Sequence, residues 1–190
     1  MRRGMAVGLC MAAMAVCAVL SGCRSPQVPA TVAHLLLADA GLTALPEAAG
    51  AALQVSLRPV ELPEYLEGRR MVRVLDGDRV ETVAGHGWAE SFGPAVRAAL
   101  EENLARLLGV PCLWGEGGER LTLSFRRLSL TDRGTVAVSV LCRSSRTGRK
   151  PRLVEFEEPL AEASRPSAAY AAALSRLSRE VAVWLLSARP

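Results

Sequence analysis

The stretch Arg120–Arg143, RLTLSFRRLSLTDRGTVAVSVLCR, folds back on itself. Thr131-Asp132-Arg133-Gly134 has turn composition, and beyond it Val136, Val138, Val140 and Cys142 recur at every second position, which puts them on one face of a strand. An antiparallel pair of Arg120–Leu130 with Thr135–Arg143 follows, and Arg152–Glu158 adds an edge strand.

Upstream, Met71–Leu75 and Arg79–Ala84 flank Asp76-Gly77-Asp78, where a glycine supplies the positive φ of a tight hairpin turn. Leu53–Leu62 alternates Leu53, Val55 and Leu57 against Gln54, Ser56 and Arg58, and Thr31–Asp39 reads as another strand. Ala40–Gly50 is an Ala/Gly loop between them.

Two segments carry the helical period instead. Gly93-Pro94 opens the first with proline in its first turn, and Val96, Leu100, Leu104 and Leu107 form its stripe before Gly109 and Pro111 stop it. The second starts near Pro166 and aligns Tyr170, Leu174, Leu177, Val181 and Trp184. Hairpins instead of alternating strand-helix crossovers predict an α+β domain: a mostly antiparallel sheet covered on one face by two amphipathic helices.

The 190 residues suit one domain with or without a targeting segment. Half are hydrophobic and 22% charged, which excludes a disordered chain and supplies a core. With 23 basic against 19 acidic residues and only 4% aromatics, the chain lacks the basic, stacking-rich face that nucleic acid requires. Lys150 is the only lysine, so arginine carries nearly all the positive charge.

The compartment is written at the amino terminus. Arg2 and Arg3 precede the uncharged run Met5–Leu20, which ends in Leu20-Ser21-Gly22-Cys23. This is the layout of a secretory signal closed by a lipobox, in which small residues admit the peptidase and the Cys23 thiol takes the lipid. A transmembrane helix is the competing reading, since about 20 apolar residues span a bilayer. The small-small-Cys triplet and the following Arg24-Ser25-Pro26 favour the lipobox. Residues 1–22 are then the signal peptide, 23–31 a lipidated tether containing Pro26 and Pro29, and 32–190 the domain. A diacylglyceryl group and a further acyl chain on Cys23 give more than the two signals that stable anchoring needs.

The residues offer little for catalysis. His34 falls in a predicted strand and His86 in a Gly-His-Gly turn, neither with a metal-ligand partner at useful spacing, so no metal or other cofactor is expected. Cys112 and Cys142 lie in apolar segments that suit buried thiols as well as a disulfide. Gly115–Gly118 lacks the Lys-Ser/Thr ending of a phosphate-binding loop and reads as a turn. Glu101-Glu102 and Glu155/Glu157/Glu158 fit solvated helix and strand faces. A tethered hydrolase using Glu90 or Asp132, or a structural pilot lipoprotein, remains open as an alternative.

Val60-Glu61-Leu62-Pro63-Glu64-Tyr65-Leu66-Glu67-Gly68-Arg69-Arg70-Met71-Val72-Arg73, then Trp88-Ala89-Glu90 ahead of an amphipathic helix, resembles the ABC-type transport auxiliary lipoprotein family of the PqiC/YmbA type. The lipobox and the carboxy-terminal layout match as well. Gly87 and Ser91 depart from the family's usual arginine and proline around the tryptophan. The resemblance implies a non-catalytic envelope lipoprotein that works with a mammalian-cell-entry (MCE) type, ABC-driven transporter of phospholipid or other hydrophobic molecules; Arg24 after the cysteine, in place of the aspartate that retains many enteric lipoproteins in the inner membrane, points to the outer membrane. The resemblance leaves self-association open. Pro63 fixes its φ and lacks a donor, which is expected to end the preceding strand and expose Tyr65 and Leu66 at a bend. Pro63, Tyr65, Leu66 and Trp88 are thus candidate partner-binding residues, with core packing of the large apolar side chains as the competing role.

Overall fold

The computed structural model describes residues 31–49, 54–75, 79–110, 118–162 and 165–187. The signal, the tether with Cys23, the Asp76-Gly77-Asp78 turn, Cys112 and most of the Gly115–Gly118 turn lie outside them.

Seven strands and two helices follow one another as β1 (Val32–His34), β2 (Val55–Leu57), β3 (Arg70–Val74), β4 (Val80–Trp88), α1 (Phe92–Leu108), β5 (Glu119–Thr131), β6 (Thr135–Ser144), β7 (Arg152–Pro159) and α2 (Pro166–Ser187). One sheet holds all the strands in the order β1-β4-β3-β5-β6-β7, with β2 beside β5. The fold is α+β, but the sheet is mixed and not mostly antiparallel. β3/β4, β5/β6 and β6/β7 run antiparallel, whereas β1/β4, β2/β5 and β3/β5 run parallel. For β2/β5 and β3/β5 the cause is the helix between the two strand groups. A connection through α1 returns the chain to the start of β5 in the direction of β2 and β3, as a parallel pair requires.

Strand β5 organises the molecule. Its outer edge is shared by successive stretches of one segment: Val55–Leu57 pair with Glu119–Leu121, Glu61 bridges to Ser124, and Arg73 and Val74 reach Leu130 and Thr131. Between the bridge and β3 the chain leaves the edge and makes a 3-10 turn at Glu64–Leu66. The strands predicted over 31–39 and 53–62 are therefore only three residues each. Beyond His34 the chain stops following β4 and is held by helix side chains instead: the Asp39 N–H donates to Asn103 Oδ1 at 2.8 Å, and Ser175 Oγ donates to Asp39 Oδ2 at 2.8 Å.

The helices form where the apolar stripes require. Val96, Leu100, Leu104 and Leu107 of α1 and Leu174, Leu177 and Val181 of α2 are buried to within 1% of full enclosure. Gly109 at φ +65° closes α1, its N–H donating to the carbonyls of Ala105 and Arg106. α1 packs on α2, and α2 also contacts β6 and β7. The predicted face of β6 is real, since Val136, Val138, Val140 and Cys142 are all buried. Cys142 is a free thiol, which burial pushes up to about 12 and so keeps protonated.

Candidate functional site

The excursion of the chain away from β5 builds one wall of a groove. Pro59 and Val60 come from the stretch along β5 just before the Glu61 bridge, Leu62 from the start of the excursion, Glu67 and Gly68 from its end, and Ser91, Gly93, Pro94 and Arg97 from the opening of α1. The groove has a volume of about 510 Å³. Its geometry is fixed by backbone bonds: the Phe92 N–H donates to the Gly68 carbonyl at 2.8 Å and the Trp88 N–H to the Arg69 carbonyl at 2.7 Å. Gly68 takes φ +88°, a left-handed conformation that glycine adopts without strain. At its far end, Arg97 Nε donates to Glu101 Oε1 at 2.7 Å. Glu101 is only 8% exposed, so it is not the solvated carboxylate its helix position implies; Arg97 compensates its burial.

The four residues singled out by sequence separate in space. Pro63 is the N-cap of the 3-10 turn, with φ −58°. Tyr65, on that turn, is 37% exposed, while its neighbour Leu66 is 2% and Trp88 is 5% exposed. Leu66 therefore does not project at the bend as expected. The tight turn instead directs it inward, and its N–H closes the turn on the Pro63 carbonyl at 2.9 Å. Trp88 stacks on Phe92 at 4.7 Å and meets Tyr170 edge-on at 5.1 Å, completing an aromatic cluster below the groove. Tyr170 belongs to this cluster, its hydroxyl accepting the Leu130 N–H at 3.1 Å; burial drives its phenol far above the ordinary range, and Tyr65 adds to the push.

The histidines, unconnected in sequence, meet. His34 Nε2 and His86 Nδ1 are 2.8 Å apart, and His34 Nδ1 lies 3.3 Å from Ser167 Oγ. His86 is in strand β4 and not in a turn, because Gly85 at φ +74° lets the strand bulge there and continue. The parallel register, Val32 opposite His86 and His34 opposite Trp88, brings the two rings together. Burial chiefly, and His86 next, lower the pKa of His34. Among the described residues no group of three or more His, Cys, Asp or Glu side chains is arranged to hold a metal.

The two alternative catalytic carboxylates lie apart: Glu90 is exposed near the groove's helix, and Asp132 is exposed beside a depression of about 180 Å³ lined also by Arg127, Arg133 and Glu157. Among the described residues neither shares a hydrogen bond with a nucleophile.

Two solved structures share this fold. A protein described only as uncharacterized matches with a TM-score of 0.60 at 16% identity, covering 82% of this chain and 99% of its own. Protein XCC0632 from Xanthomonas campestris, of the DUF330 family, matches with a TM-score of 0.59 at 11% identity, covering 83% of this chain and 93% of its own. No curated protein sequence matches. These likenesses define the class of fold. The family follows from the sequence itself: residues 35–184 match the ABC-type transport auxiliary lipoprotein component, and the chain belongs to that family. No helix among the described residues is long and apolar enough to cross a membrane.

Proposed function

We propose that this chain is a lipid-anchored, non-catalytic accessory subunit of an MCE-type, ABC-driven system that moves phospholipid or other hydrophobic molecules between the inner and outer membranes. Cys23, after removal of residues 1–22, carries the acyl chains; 23–31 is the tether; and 32–190 is the working domain on the periplasmic side of the outer membrane. The two helices, on this reading, cover the sheet face that carries Val136, Val138, Val140 and Cys142. The family description supports the transport setting, and the sequence resemblance supports the MCE partner.

The observation that carries the docking role is Tyr65. It is a large aromatic left 37% exposed on a turn pinned by Pro63 and the buried Leu66, in the segment between Leu62 and Glu67, both of which line the groove of about 510 Å³. An amphipathic ring held on a rigid turn binds with little loss of conformational freedom. Leu66 and Trp88 act from beneath by fixing the turn and the helix opening. Replacing Tyr65 with alanine is expected to weaken capture of the transporter's periplasmic MCE subunit about tenfold or more, corresponding to ~1.4 kcal/mol or more, with the melting temperature within a few degrees of wild type. Loss of capture and melting temperature together would assign Tyr65 to the core.

A further inference from the structure

Of the seven large apolar side chains exposed among the described residues, three lie within six positions of one another: Val32, Leu35 and Leu37, at 55%, 57% and 64% exposure. Leu36 between the last two is buried, so the chain alternates like a strand with its dry side against the domain and Leu35 and Leu37 facing out. The segment cannot roll over to hide them. His34 is held by His86 and Ser167, and Asp39 by Ser175 and Asn103. The exposed leucines are therefore a fixed feature of this strap.

Their place in the chain names the occupant. Eight residues, Arg24–Thr31, separate the acylated Cys23 from Val32. Fully extended they reach at most about 28 Å. The strap is the first folded segment beyond the anchor, so the bilayer is the apolar phase that the tether holds continuously within its reach. We infer that Leu35 and Leu37 form a membrane-apposed face, seated in the outer-membrane headgroup layer and orienting the domain on its anchor. This rests on Cys23 being acylated. At the end of the strap Asp39 faces Arg106 and Arg179, and Arg106 pairs with Glu102, so the exposed leucines carry the seating through apolar burial.

The test uses the full acylated chain, its acyl mass first verified, reconstituted in vesicles of phosphatidylethanolamine with phosphatidylglycerol and separately of phosphatidylcholine alone. An environment-sensitive fluorophore is placed at Leu35→Cys, Leu37→Cys or, as a control on the far strand, Leu153→Cys, each with Cys112→Ser. Nitroxide-labelled lipids should quench positions 35 and 37 severalfold more than position 153, equally in both lipid mixtures, and Leu35→Gln should weaken quenching at 37. Equal quenching at all three positions in verified acylated protein overturns this face and leaves the anchor standing. Absence of the acyl mass overturns both.

Discussion

The Arg149 guanidinium is 1% exposed and has three tasks. Nη1 and Nη2 donate to the carbonyls of Trp184 and Leu185, the latter at 2.9 Å, occupying acceptors that the end of α2 leaves open. Nε makes a close ionic contact with Glu119 Oε1 at 2.8 Å without hydrogen-bond alignment, and the guanidinium carbon lies 5.1 Å from the Trp184 ring centre. Removing one partner of a buried pair strands the other charge, so Arg149→Ala should cost about 3–5 kcal/mol in urea denaturation. A loss below about 1 kcal/mol contradicts this role. The His34–His86 contact predicts a pH effect. A histidine whose folded pKa is lowered binds fewer protons folded than unfolded, so stability rises with pH from the lowered value up to the ordinary 6.5. The urea midpoint should therefore climb as pH rises toward about 6.5 and level off above it, and His34→Gln should flatten the climb; an unchanged slope in the variant refutes the assignment. Neither feature was legible in sequence. The histidines are 52 positions apart, and only the register of a parallel pair brings them together. The exposure of Tyr65 beside a buried Leu66 depends on a 3-10 turn that strand and helix periods do not describe.

At the scale of elements, the chain entering β5 meets the chain entering β2 at Gly118, where the Glu119 N–H donates to the Gln54 carbonyl. Gly118 has φ +82°, and a side-chain carbon there would stand 2.1 Å from the Gln54 carbonyl oxygen, far inside contact distance. Gly134, in the β5–β6 turn, has φ +70° but open space around it. Both substitutions to alanine pay the left-handed strain of roughly 1–2 kcal/mol, but Gly118→Ala must also push β2 away from β5. It should lower the thermal midpoint clearly further than Gly134→Ala; equal shifts would mean that the β2–β5 junction yields freely. The helices and the β5–β6 hairpin could be read from residues because their partners are local: stripes at Val96–Leu107 and Tyr170–Trp184, and a turn at Thr131–Gly134. The parallel pairs could not, because they join segments far apart in sequence: those to β5 depend on where α1 delivers the chain, and β1 meets β4 across two intervening strands. The two short strands were read too long because alternation at Val55 and Leu57 says nothing of where a neighbour ends.

The family membership places the whole molecule in ABC-type transport. On the function we propose, it joins an anchor written in its first residues to a docking turn written in its middle. The most direct test is affinity purification of the tagged full-length chain from detergent-solubilised envelopes, followed by mass spectrometry of what co-purifies. Wild-type protein should bring down an MCE-domain protein together with its permease and ATPase, and Tyr65→Ala should bring down much less at equal expression. Recovery of the acylated chain with none of these components would contradict the account.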